Sequence, residues 1–252
     1  MKNRSRNVTR LALLLIAAGV IGNVVLYLLG NSPFNLHELS VEQPVRMDQT
    51  TSVLLQNEIG TIDVVPIQGD EIKATLGGKT TKALMKDYKL HITQDRGQTS
   101  IKVVQDNRFR FFDIYTELKL TVGVPATRLD QLQVVTDSGR IDVGPVLAKE
   151  YRVVSDSGSI KLEIEEGIIH AETDTGEITA SLERILQDIH ATSDTGDITI
   201  QTTEAPQALR TQFSADSGTV KVTLPGYKDG YIGEGGPLVK LISDTGNLRI
   251  EQ

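Results

Sequence analysis

From about residue 130 to the end of the chain, apolar and polar positions alternate on both sides of a recurring corner. The corner reads Thr136-Asp137-Ser138-Gly139-Arg140-Ile141-Asp142-Val143 and returns five times, around Asp156, Asp174, Asp194, Asp216 and Asp244. The aspartates are 19, 18, 20, 22 and 28 residues apart. Three residues before each stands an apolar residue: Val134, Val153, Ala171, Ala191, Phe213 or Leu241. Four and six after each come further apolar pairs, Ile141/Val143, Ile160/Leu162, Ile178/Ala180, Ile198/Ile200, Val220/Val222 and Leu248/Ile250. Polar residues lie between them, so each repeat reads as strand, tight turn, strand with one apolar face.

One such unit cannot bury its apolar face alone, whereas a stack of units buries a continuous core. A period of about twenty residues suits one coil of a solenoid. The expected fold is therefore all-β: a β-solenoid, a single-stranded β-helix-like repeat. The competing arrangement is an antiparallel β-sandwich with two strands per repeat. At the corner, Asp can bond the backbone two residues on, Ser or Thr does so more weakly, and Gly supplies a positive φ. This assigns a structural turn role to Asp137, Gly139, Asp156, Gly158, Asp174, Gly176, Asp194, Gly196, Asp216, Gly218, Asp244 and Gly246.

The N-terminal part has a different pattern. Residues 1–10 hold Lys2, Arg4, Arg6 and Arg10 and no acid, and residues 11–30 carry no charge. Twenty such residues are about what a helix needs to cross a bilayer. A cleaved signal has a shorter apolar region and an A-x-A-like site, so a retained transmembrane anchor is the expectation. The basic flank stays cytoplasmic and the rest is extracytoplasmic. Residues 31–50, with Ser32-Pro33 and Gln43-Pro44 as breakers, read as a polar tether, and residues 51–252 as the β-repeat domain.

Within that domain, Leu55, Ile62 and Val64 around Asn57-Glu58-Ile59-Gly60 keep the phases of the later repeats and form a degenerate first copy. Residues 72–76, 88–93, 100–104 and 115–124 are strand candidates. Lys79, Lys82 and Lys86 read as a basic exposed loop, and Gly78 and Asp95-Arg96-Gly97 as turns.

Charge and composition narrow the function classes. Apart from the four basic residues of the first ten, the chain holds 22 Lys and Arg against 33 Asp and Glu, a net charge of −11. That balance argues against nucleic acid and against docking on anionic lipid. The absence of cysteine excludes a disulfide framework and thiol chemistry.

The Asp-Ser/Thr-Gly-x-Ile-x-Val phrase, the Asn57-x-x-Gly60-x-Ile62-x-Val64 opener and Val124-Pro125 before the array resemble the bacterial "putative adhesin" β-strand-repeat family, a domain of unknown function. The likeness spans roughly residues 50 to 252. It implies a β-repeat surface domain with no catalytic residue to transfer. The anchored layout also resembles accessory proteins of Lia-type envelope-stress systems in Gram-positive bacteria.

Candidate chemistry is sparse. A row of turn aspartates at the strand spacing of about 4.8 Å would crowd negative charge that calcium could relieve. The known calcium β-roll has a nine-residue, glycine-rich period, so structural turns are the preferred reading and calcium the lesser one. His170 and His190 occupy one repeat column and should be neighbours, but Gln133, Arg152, Gln212 and Lys240 share it, which makes it an outward polar column. No acid pair stands apart for glycoside chemistry, and no nucleophile motif, phosphate loop or zinc spacing occurs. The expectation is a non-enzyme without cofactor. Two aromatic segments remain as partner contacts: Phe109, Phe111 and Phe112, and the Gly-rich excursion carrying Tyr227 and Tyr231. The partner would be an envelope protein or cell-wall component, with self-association as the alternative.

Overall fold

In a computed structural model of the chain, residues 2–30, 32, 35–47, 49–82, 84–106 and 116–252 are described, residues 2–8 by backbone alone. Phe109, Phe111 and Phe112 lie outside the described residues. A helix, α1 (Lys2–Leu28), precedes the strands. The first seven are β1 (Leu36–Arg46), β2 (Ser52–Ile59), β3 (Thr61–Ile67), β4 (Glu71–Thr81), β5 (Tyr88–Asp95), β6 (Gln98–Gln105) and β7 (Glu117–Pro125). The regular array follows as β8 (Leu129–Ser138), β9 (Ile141–Val143), β10 (Ala148–Ser157), β11 (Ile160–Ile164), β12 (Ile168–Thr175) and β13 (Ile178–Leu182). It continues with β14 (Ile189–Thr195), β15 (Ile198–Thr202), β16 (Leu209–Ser217) and β17 (Val220–Thr223). The chain ends in β18 (Tyr231–Ile232), β19 (Leu238–Thr245) and β20 (Leu248–Glu251).

The chain divides into two compact units, Met1–Leu39 with Gly78–Lys89 and Gln105–Glu117, and Ser40–Gly77 with Leu90–Val104 and Leu118–Gln252. In the smaller unit, the buried Thr80 hydroxyl meets that of Thr116 at 3.1 Å, and Lys89 pairs with Asp106.

The larger unit is the solenoid. Each repeat supplies the strand before its corner to one sheet and the strand after it to the other. The pairings between coils are parallel and in register, for example Val153↔Ala171, Ala171↔Ala191, Ile160↔Ile178 and Ile178↔Ile198. These are the pairings of stacked coils and not of an antiparallel sandwich. The apolar columns read in the sequence face inward: Val134, Val153, Ala171, Ala191 and Leu241 from one sheet and Ile141, Ile160, Ile178, Ile198 and Leu248 from the other are all buried. The two sheets do not close into a barrel; each has two edges.

The stacking order departs from the chain order at both ends. One sheet runs β1-β4-β7-β3-β9-β11-β13-β15-β20-β17, the other β18-β16-β19-β14-β12-β10-β8-β2-β6-β5. The last copy of the phrase, on β19 and β20, therefore lies between the fourth and fifth copies. The degenerate first copy, on β2 and β3, lies between β8/β9 and β6/β7. The excursion of residues 225–237 carries the chain outward past the fifth copy and back, which explains the 28-residue final spacing. On the way its β18 pairs antiparallel with the start of β16, Leu209↔Ile232 and Arg210↔Tyr231, and covers that edge.

Two readings of the irregular region need correction. Residues 36–46 are not a tether but an edge strand, β1, with Leu39 and Val45 buried. Period-two spacing of Leu39, Val41 and Val45 accounts for it, and Pro44 is tolerated because an edge strand leaves one row of N–H positions unpaired. Gly78 and Lys79 lie inside β4 and not in a loop, because the alternation of Ile72, Ala74 and Leu76 carries on to Thr80. The turn at Asp95-Arg96-Gly97 does form, with φ of 47° at Arg96 and 81° at Gly97.

Two carboxylates of the fourth coil bind the inserted last coil: Asp188 accepts from the Leu238 N–H at 2.8 Å, and Asp197 takes several bonds. Asp197 accepts from the Asn247 backbone N–H at 2.8 Å, from Asn247 Nδ2 at 3.0 Å and from Arg249 Nη1 at 2.8 Å. Those bonds, chiefly the Asn247 backbone N–H, hold its pKa below the usual carboxylate value. A depressed folded-state pKa contributes stability above the unfolded value and loses it as pH falls through the folded one. Asp197→Ala should lower stability at pH 7 by about 1 kcal/mol, the partly exposed setting having been allowed for. Denaturant midpoints should show the gap between Asp197→Ala and the parent closing as the pH drops below the ordinary aspartate range.

Candidate functional site: the stacked corners and the outer face

The corner is built from backbone. Its glycines have φ of 137° at Gly139, 154° at Gly158, 157° at Gly176 and 153° at Gly196, a region that residues with a Cβ avoid. Space imposes a second demand. A Cβ on Gly158 would lie 1.8 Å from the Gly139 carbonyl oxygen, on Gly176 2.1 Å from that of Gly158, and on Gly196 1.9 Å from that of Gly176. Gly246 and Gly218 continue the column in stacking order, and Gly60 joins it against Gly139. The φ of Gly246 falls outside the left-handed window, so there the close approach alone requires glycine. The ladder runs on through the turn: Gly139, Gly158, Gly176 and Gly196 donate their N–H groups to Ser157, Thr175, Thr195 and Thr245 carbonyls at 2.8–2.9 Å.

The side chains that serve these corners are the Ser and Thr residues one place before the aspartates, a place that Ala215 takes in the fifth copy. Thr136, Ser155, Thr173, Ser193 and Ser243 form a buried column. Thr173 donates to the Gly158 carbonyl at 3.2 Å, Ser193 to that of Gly176 at 3.0 Å and Ser243 to that of Gly196 at 3.0 Å. Three of the five thus satisfy carbonyls turned toward the core, while Thr136 Oγ1 and Ser155 Oγ are buried with no hydrogen-bond partner among the described residues. Sequence reasoning missed the column, although a hydroxyl recurs at a position whose alternation demands an apolar residue.

The aspartates behave differently from the expectation. Asp137, Asp156, Asp174, Asp194, Asp244 and Asp216 stand in that order along the exposed rim of the corner. The bond from each carboxylate to its own turn does not form among the described residues; the glycine backbone and the hydroxyl column supply the corner's bonding instead. No group of three or more His, Asp or Glu among the described residues is placed to hold a metal.

On the outer face, His170 and His190 are register partners with ring centres 6.2 Å apart. They line a shallow cleft of 160 Å³ with Arg152, Val154, Glu172 and Thr192. Burial lowers the pKa of His190, and the Lys240 and His170 charges push the same way against Glu172. Of the excursion tyrosines, Tyr227 is tied to the fold by a 2.8 Å hydroxyl contact with Thr211, whereas Tyr231 is 54% exposed on β18.

Another unforeseen residue is Tyr151. Fully buried, it donates to the Val146 carbonyl at 2.5 Å and accepts from the Ala148 N–H at 3.0 Å, which pins the entry to β10. Burial raises its pKa.

Glycine corners in register, a buried hydroxyl column and outward polar columns define a parallel β-solenoid. The chain belongs to the Toastrack DUF4097 family, whose profile matches residues 22–251, in agreement with the repeat family expected from the phrase. A "putative cell adhesion protein" from Clostridium sporogenes superposes with a TM-score of 0.55 at 10% identity, covering 86% of this chain and 100% of that one. A "putative adhesin" from Bacteroides fragilis gives 0.34 at 13% identity, covering 84% and 96%. A "putative lipid binding protein" from Parabacteroides distasonis gives 0.32 at 11%, covering 84% and 96%. The first of these likenesses shows a shared fold. No curated protein matches the chain.

Substitutions at the corner should separate backbone from side-chain roles. Gly158→Ala must displace the neighbouring coil and should cost on the order of 3 kcal/mol or more. Thr173→Val should cost about 1 kcal/mol by stranding the Gly158 carbonyl. Asp156→Asn should stay within about 0.5 kcal/mol of the parent. Chemical denaturation of the three variants measures the ranking.

Proposed function

We propose that the protein is a non-catalytic, single-pass membrane protein whose extracytoplasmic solenoid binds another component of the cell envelope. The observation that carries this reading is an apolar helical stretch, Thr9–Leu28, charged only at Arg10, with a mean hydropathy of 2.5 over its 18-residue window and no residue of that window buried, attached to a repeat scaffold. Residues 1–10, with four basic side chains, remain in the cytoplasm, and residues 11–30 cross the bilayer. The solenoid starts with β1, so the connection from the membrane is shorter than a 20-residue tether.

Binding, and not turnover, is supported by the character of the surface. The outward columns are polar, the open cleft beside His170 and His190 is shallow, and its ionisable groups are mixed in sign. The scaffold presents flat, rigid sheet faces suited to another macromolecule. The exposed Tyr231 on β18 is a contact of this kind, and Phe109, Phe111 and Phe112 are kept as a second. A role in envelope-stress sensing rests on the anchored layout.

A photo-crosslinking residue at Thr192, on the outer face next to the cleft, tests the proposal in intact cells producing the full-length chain. One discrete adduct with a different envelope component is expected. Adducts confined to copies of the same chain at this position, or none, would contradict it.

A further inference from the structure

Every inner coil of the solenoid has a neighbour on both sides, but the coil made by β16 and β17 ends the stack. Its inward residues are accordingly incomplete in their burial. Val220 is 47% exposed, while Ile141, Ile160, Ile178, Ile198 and Leu248 at the equivalent position are at most 1% exposed. Phe213 and Val222 are half-buried where the other coils carry fully buried residues. The backbone tells the same story. Gly246 and Leu248 donate to the Ser217 and Thr219 carbonyls, so this coil's accepting side is used, and the equivalent donors, Gly218 and Val220, face the open end.

The chain shields one of the two edges here and leaves the other. β18 covers the start of β16, whereas β17 pairs only with β20 among the described residues. An uncovered strand edge above half-exposed valines is a template for another strand.

We propose that β17 pairs antiparallel with β17 of a second copy of this chain, forming a two-fold dimer. The edge is self-complementary in one register. With Val222 on the two-fold axis, Val220 faces Leu224 of the other copy, both on the inner side, and Lys221 faces Thr223. That register keeps apolar residues on the core side and sets no like charges opposite one another, whereas the register centred on Lys221 would oppose two lysines. The contact continues the sheet of which β17 is the last strand. Growth into a filament would need β17 to meet the opposite edge of the same sheet, β1, where Pro44 offers no N–H, so the isologous pair closes. A four-residue pairing buries well under the roughly 800 Å² per partner of a stable complex, and the dimer is weak and concentration-dependent.

The absence of cysteine in the chain allows a covalent test of the register. Full-length Val222→Cys protein in membrane vesicles is treated with a mild oxidant. Directly opposed residues have Cα atoms about 4.5–5.5 Å apart, within disulfide range. In the same register, Thr223→Cys would face its own copy at about 8 Å, beyond that range. The expected result is at least about tenfold more disulfide dimer for Val222→Cys than for the more exposed Thr223→Cys. A mixture of Lys221→Cys and Thr223→Cys, both outward and harmless to the core, should form the heterodimer that neither forms alone. Equal linking at positions 222 and 223, no linking in the mixture, or capture of a different protein at position 222 would overturn the proposal. None of these results depends on the adduct formed at Thr192.

Discussion

The structure depends on one close approach: the carbonyl of a corner glycine occupies the space where the Cβ of the next coil's corner residue would be. With a Cβ only 1.8–2.1 Å from that oxygen, the column from Gly139 to Gly246 admits no other side chain. The approach lets the parallel ladder run through the turn without interruption, which keeps the strands on either side in register. Register in turn decides which side chains face inward, because a slip of one residue would turn every valine and isoleucine to solvent. Three hydroxyls of the buried column, on Thr173, Ser193 and Ser243, complete their corners by taking up glycine carbonyls.

Uniform corners also permit the unusual stacking order. Since each copy presents the same glycine and apolar columns, and all but the fifth, with Ala215, the hydroxyl as well, copies can fit beside one another, and the last can lodge between the fourth and fifth. What selects that place is local. Asp197 of the fourth copy takes four bonds from Asn247 and Arg249 of the sixth, and Thr219 of the fifth donates to Asn247 Oδ1 at 2.6 Å. The insertion makes the end of the domain depend on contacts some fifty residues apart in sequence, a non-local arrangement of the kind that slows folding.

Much of the fold was legible in the sequence because the physics there is local. Alternation around Asp137 and its relatives gave strands, faces and the inward columns, and the recurring glycine gave the corner. Three things were not. The insertion order was hidden because copies that fit one another equally leave no trace of their sequence in space. β1 was hidden because Pro44 and Gln43 suggest a break, and only the edge position excuses the proline. The aspartate was assigned the turn's hydrogen bond because that is its habit in isolated turns; here the neighbouring coil, which a single repeat cannot reveal, puts a buried Ser or Thr to that use. For the candidate site, the neighbouring positions of His170 and His190 were legible, while the strand β18 that carries Tyr231 was not, and the open edge at β17 followed only from the order of the coils.

In this scaffold rigidity comes from the corner, and variation is left to the outward columns. The most direct measurement of its central claim is residue-resolved amide hydrogen exchange at the corner glycines. If the coils stack through them, the N–H groups of Gly139, Gly158, Gly176 and Gly196 exchange as slowly as those of the core strands. Exchange at the rate of an open turn at these four positions would contradict the account.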